Sequence, residues 1–209
     1  MRTIIFFCFM CAALLRGNLC AQGIERNDLL VGTGLGFAKI TAHYWDAAGA
    51  DYQSTVVNGL HIPTSAEYAL GTMFGIGGHF NYTLLSDYMQ PHMQNSSLME
   101  GALSVVMHAP GWPRIDISGY AGLGYARFRN EIHGDFNHEL YRAAGASIAF
   151  GFHTRFYFSS ERRLGIALLT DGTYANFKNA KYSDDYTSGY DFRLNLKRAA
   201  ISASLFYRF

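Results

Sequence analysis

Cysteine is almost missing from this chain of 209 residues, and the three present, Cys8, Cys11 and Cys20, all stand near its start. A framework of disulfides is thereby excluded for everything that follows. Charge of one sign is missing too, since 17 Lys and Arg face 16 Asp and Glu for a net charge of +1. Binding to nucleic acid calls for a basic face, so no such partner is expected. Beyond the first stretch there is no long uninterrupted apolar run, which excludes a bundle of membrane-spanning helices. Proline is scarce at four residues, whereas glycine, at 22, and aromatic residues, at 15%, are plentiful. That balance suits many strands in which apolar side chains alternate with small or polar ones.

The opening segment reads as an address. Arg2 precedes the apolar run Ile4 to Leu15, and Leu19-Cys20-Ala21 offers a cleavage site before Gln22. This is the layout of a secretory signal peptide over residues 1–21, with a core too short to span a membrane as a helix. All three cysteines leave with it, and so do Arg2 and Arg16, leaving 15 basic against 16 acidic residues and a net charge near minus one. Acylation on Cys20 would instead need a small residue just before it, where Leu19 stands. About 188 residues, 22–209, are then expected to form one domain without repeats or linkers.

After a polar lead-in, Gln22 to Asp28, the chain alternates with period 2, the spacing of a strand's two faces. The first strand, Leu29 to Tyr44, sets Val31, Thr33, Leu35 and Phe37 against Gly32, Gly34, Gly36 and Ala38. Its apolar parity changes to Ile40 and Tyr44 around Lys39, which reads as a bulge or a rim. The glycines lack the spacing of a dinucleotide-binding loop, and small inward residues of a narrow barrel explain them better. Further strands are expected near Val56 to Ala69, Phe74 to Leu84, Leu98 to His108, Ile115 to Phe128, Leu140 to Phe158 and Leu164 to Phe177, with an eighth closing the chain. Short turns at 70–73, 109–113 and 159–163 alternate with longer polar loops at 46–53, 86–96, 130–138 and 178–191.

The last eleven residues put Ile201, Ala203, Leu205, Tyr207 and Phe209 on one face and Ala200, Ser202, Ser204 and Arg208 on the other, with Phe206 the one large apolar exception. About eleven residues carry a tilted strand across a bilayer's hydrocarbon. On this ending, the signal, the alternating strands and the loop asymmetry, the chain resembles the small bacterial outer-membrane β-barrels of the OmpA and OmpX type. The resemblance implies an all-β fold, a closed antiparallel transmembrane β-barrel of about eight strands, in the bacterial outer membrane with both termini periplasmic. It also implies Phe209, Tyr207 and Leu205 as the signal read by the barrel assembly machinery, a partner beside the outer-membrane lipid. A wall-binding domain like that of full OmpA is not expected. Lipid offers no hydrogen-bond partners, so such strands can cross only as a closed ring. The plainer alternative is a soluble sandwich or barrel, yet a lipocalin-like barrel would place apolar residues inward where this chain has Gly, His, Arg and Asp.

At about eight strands the interior is just wide enough for side chains to fill it. The inward parity carries Glu67, Asp116, Asp171 and Arg155 with His61, His79, His108 and His153. Unpaired buried ions cost several kcal/mol, so these are expected to pair, with Glu67, Asp116 and Arg155 at similar height. Aromatic girdles are expected at Tyr44, Trp45, Tyr82, Tyr125 and Tyr174 near one set of strand ends and at Tyr68, Phe74, Phe156, Phe158 and Tyr207 near the other.

Function is read as structural or surface-interacting, with a lumen filled by polar side chains and external loops that contact a ligand. A narrow channel for small solutes is one alternative. An enzyme at the external rim is another, with His43, His133 and His138 beside Asp46, Asp135 and Glu139 as base and acid. The His-x-Ser-Asn segment of lipid A deacylases is absent from the last strands, however. His133, Asp135 and His138 carry metal-ligating groups, and Asp184 and Asp185 with the loop tyrosines carry recognition groups, but solvated loops explain both. No catalytic, cofactor or metal residue is assigned. Glu67, Asp116, Arg155, Asp171, His79 and His153 stand as the candidate lumen cluster.

Overall fold

The computed structural model describes residues 24–45, 52–86, 96–112, 114–133, 138–158, 163–185 and 189–209. The expected signal peptide and its cysteines lie outside the described residues, as do Asp46 and Asp135. The described elements are eight strands: β1 (Leu29–Trp45), β2 (Tyr52–Ala69), β3 (Phe74–Ser86), β4 (Ser97–Trp112), β5 (Ile115–His133), β6 (His138–Tyr157), β7 (Leu164–Ser183) and β8 (Tyr190–Arg208). Each pairs antiparallel with its neighbours in chain order, and β1 pairs with β8, so the sheet closes on itself and leaves no edge. Both ends of the described chain and the three short connections lie at one end of the barrel, the turn end. Four longer hairpins rise at the other.

The strands run longer than their apolar alternation. They span 13 to 20 residues, whereas about 9–11 cross a bilayer. The excess lies at the hairpin end, where the two faces exchange character. On β1, Leu35 and Phe37 point outward, but one step further Lys39 and His43 do, while Ile40 and Ala42 turn inward. On β8, Ile201 and Leu205 point outward, and beyond them Lys197 and Arg193 take that face, with Leu196, Leu194 and Phe192 inside. An apolar belt around the barrel thus gives way to a polar collar whose interior is apolar.

This exchange corrects several expectations. Of the two readings of the change of parity at Lys39, the rim holds and the bulge does not, because β1 keeps one register with β2 and with β8 from end to end. Tyr44 does not join an outer girdle but packs inside against Phe192 and Tyr141, at ring separations of 5.9 and 6.2 Å. Segments 130–138 and 178–191 are mostly strand, since β5 runs to His133 and β7 to Ser183. The register shifts lie elsewhere, among them one between Phe177 and Ala180 in the β7 and β8 pairing. That extra residue leaves Lys178 and Asn179 both exposed and brings Ala180 back to the interior beside Phe177. The turn expected at 109–113 is partly β4, which continues to Trp112 through an irregular register.

Inside, the barrel is layered. At the turn end Ile24, Leu30, Ala69, Tyr157, Ala167, Leu169 and Phe206 form an apolar floor. Phe206, the exception to the polar parity, is thereby accounted for, with its ring edge-on to Tyr157 at 5.1 Å. Above the floor lies a polar middle. At the hairpin end a second apolar layer, including Ile40, Leu98, Phe128, Phe177, Leu194 and Leu196, draws on all eight strands once Val57 of β2 is counted. A lumen filled by polar side chains describes only the middle of this stack.

Candidate functional site

Strand alternation aims charged side chains from six strands into the polar middle, where they sort into two groups. In the lower group, Arg155 of β6 donates from Nη1 to Asp116 Oδ2 at 2.8 Å and from Nη2 to Glu67 Oε2 at 2.6 Å. His108 of β4 spans the same two acids, with Nδ1 2.9 Å from Asp116 Oδ1 and Nε2 2.5 Å from Glu67 Oε1. An ionised carboxylate only accepts, so wherever both acids are ionised the two ring nitrogens of His108 both donate. Two acids and two bases then close a ring of alternating charge. Buried ions held this way are mutually satisfied, and removing one would strand the others.

The upper group is built around Arg198 of β8. Its Nε donates to Glu100 Oε2 on β4 at 2.5 Å, its Nη2 donates to Thr173 Oγ1 at 3.0 Å, and its Nη1 pairs with Asp171. His61 adds Nε2 at 3.4 Å from Asp171 Oδ2, with Nδ1 3.0 Å from Thr83 Oγ1. Between the two groups, His79 stacks on Tyr120 at 4.0 Å, and His153 leans on the same ring at 5.1 Å. Arginine only donates, so the 2.9 Å contact between Arg155 Nη2 and His153 Nδ1 makes that nitrogen the acceptor and puts the ring proton on Nε2.

All six lumen candidates, Glu67, Asp116, Arg155, Asp171, His79 and His153, are therefore inside and buried, but not in one cluster. Glu67, Asp116 and Arg155 meet directly, Asp171 belongs to the upper group, and the two histidines flank Tyr120. Arg198 escaped the sequence reading, and Glu100, although on the polar parity of the fourth strand with Ser104 and His108, was left out of the candidate cluster. The signal for Arg198 was present, because the even parity of Ala200, Ser202 and Ser204 extends back to it. Leu205 and Tyr207 point outward on β8, and Phe209 donates its backbone N–H to Leu29 O at 2.9 Å, fastening the chain end to β1.

The hairpin end holds the remaining candidates. His43 lies beside Trp45 on β1, while His133 and His138 face each other across β5 and β6, so the three histidines do not form one constellation. Glu139 accepts the Tyr141 hydroxyl proton at 2.9 Å. Asp184 accepts from Tyr182 at 2.8 Å, and Asp185 accepts from the His138 backbone N–H at 3.0 Å. His133 and His138 converge on Glu131, a residue the sequence reading passed over, and these three are the described group able to hold a metal ion. Burial raises the Glu131 carboxyl's pKa, but hydrogen bonds from His138, Arg129 and His133 outweigh it and hold that carboxyl below its ordinary range.

No family model matches the chain, and no curated protein matches it in sequence. Solved structures do. OprG of Pseudomonas aeruginosa, an outer membrane protein, superposes with a TM-score of 0.59 at 10% identity, over 90% of this chain and 99% of that one. The attachment invasion locus protein Ail of Yersinia pestis gives 0.47 at 11% identity, over 88% and 100% of the two chains. Neisserial surface protein A gives 0.49 at 13%, over 87% and 97%. The fold is that of the small outer-membrane β-barrels.

Proposed function

We propose that this protein spans the bacterial outer membrane as a closed barrel with a sealed lumen, and that it acts through the hairpins it raises above the membrane. In this reading the turn end faces the periplasm, the apolar belt meets lipid, and the polar collar stands in the outer headgroup region and beyond. The role is structural or that of a surface-interaction protein.

One observation carries the sealed lumen. Arg155 on β6 reaches Glu67 on β2, and Arg198 on β8 reaches Glu100 on β4. In a ring of eight, each pair is four strands apart in both directions, so each ion pair crosses a full diameter. Two crossing bars, with apolar layers below and above them among the described residues, support a lumen without a continuous wet path. Such an interior favours the structural reading over a solute channel.

The membrane part of the proposal is tested at Leu103, in the middle of the belt on β4 and 78% exposed. Leu103→Arg should lower folding stability in lipid vesicles by about 2–4 kcal/mol, because a charge would sit near the bilayer midplane. On a water-facing surface the same change stays within about 0.5 kcal/mol. A urea titration in vesicles giving the smaller figure would remove lipid from the account.

A further inference from the structure

We infer that the β5 and β6 hairpin carries a binding site for one divalent transition-metal ion, formed by Glu131, His133 and His138. The site follows from the ladder. Glu131 and His133 are two residues apart on β5 and so share a face. The register sets His138 of β6 directly opposite His133, which brings a third ligating side chain to the same patch.

The donors already converge. Glu131 Oε1 lies 2.8 Å from His138 Nε2 and 3.3 Å from His133 Nε2, the two rings are 4.3 Å apart, and all three ligand atoms fall within 4.8 Å of one another. A tetrahedral ion with bonds of about 2.0–2.1 Å holds its donors about 3.4 Å apart, so shifts of an ångström or less would seat it. Two imidazoles and one carboxylate favour Zn²⁺, Ni²⁺ or Cu²⁺ over Mg²⁺ or Ca²⁺.

The surroundings hold these ligands in place. Arg129 Nη2 binds the other carboxylate oxygen, Oε2, at 2.6 Å and leaves Oε1 facing the rings. Ser96 Oγ accepts the Glu131 backbone N–H at 3.0 Å and lies 3.3 Å from its carbonyl oxygen, tying this stretch to the start of β4. Asp185, from the β7 and β8 hairpin, places Oδ1 4.0 Å from His138 Nδ1. An imidazole that ligates through Nε2 would turn its Nδ1–H towards that acid, the usual support for a metal-bound histidine. The carboxylate is sheltered at 9% exposure, while His133 and His138 are open at 41% and 34%, so an ion enters from water and keeps a coordination position for a water molecule. Filling the site would link the β5 and β6 hairpin to the β7 and β8 hairpin through His138 and Asp185.

The test is calorimetric titration of the protein, folded in detergent micelles, with Zn²⁺, alongside Cu²⁺ electron paramagnetic resonance on the unmutated chain. The expected result is one ion per chain in the micromolar range, with resonance structure from two imidazole nitrogens. His138→Ala and Glu131→Gln should each weaken binding by about tenfold or more, while His43→Ala leaves it unchanged. No uptake, equal uptake in His138→Ala and Glu131→Gln, or a Cu²⁺ spectrum without nitrogen coupling would each overturn the assignment. The spectrum is read on unmutated protein, so it reports on the ligands whether or not a variant folds.

Discussion

Arg155→Ala is expected to remove about 3–5 kcal/mol from the free energy of unfolding, the cost of leaving buried charges without their partner. Arg155 is 4% exposed and supplies one strong hydrogen bond to each of Glu67 and Asp116. Without it the two acids share His108 alone. Adding Glu67→Gln to Arg155→Ala should restore part of the loss, since the stranded charge is then removed, and the two substitutions will not be additive. Arg114→Ala, on an exposed residue at the turn end, should stay within about 0.5 kcal/mol. Urea unfolding in vesicles reads all three. A loss below about 1 kcal/mol for Arg155→Ala would place these ions in high-dielectric water and undo the sealed lumen.

Gly36→Val should prevent the barrel from closing. Gly36 faces inward on β1, paired with Ser202 of β8, and a Cβ there would fall far inside contact distance of Ile201 O and of Ser202 Cα and Cβ. Two of those atoms are backbone, so relief would require separating the strands at the seam that joins the first strand to the last. The same crowding holds at Gly34, against Ala203 O and Ser204 Oγ. Gly101, which has nothing within 4 Å of its would-be Cβ, should accept alanine. Heat-dependent gel mobility measures closure, with most of the compact form expected to disappear in Gly36→Val and to persist in Gly101→Ala. A compact Gly36→Val barrel would mean that β1 and β8 lie further apart than the register places them.

Much of this architecture was legible because period 2 and bilayer thickness act together. A strand with lipid on one side and a narrow interior on the other must alternate, and Phe74, Ile76, Phe80, Tyr82 and Leu84 all do. The same logic aimed Glu67, Asp116 and Arg155 inward from three different strands. It failed where the solvent outside changes. Beyond Lys39, Lys197 and Arg127 the outward face is polar and Ile40, Leu196 and Phe128 take the interior, so Tyr44, expected in an outer girdle, belongs to the core. Polar stretches such as 178–191 then looked like loops, although Ala180 and Tyr182 within it, and Phe177 and Phe192 just beyond its ends, pack with the upper layer. The Glu131 site was hidden for another reason. His133 and His138 were visible as a pair, but only the cross-strand register shows that Glu131, two residues back on the same face, completes the group.

The most direct measurement is single-channel conductance of the protein in a planar bilayer, after heat-dependent mobility has shown that the inserted material is folded. Two ion pairs across the diameter, between apolar layers, predict a folded barrel that stays silent at either sign of voltage. Steady, reproducible openings from the same preparation would contradict the sealed lumen.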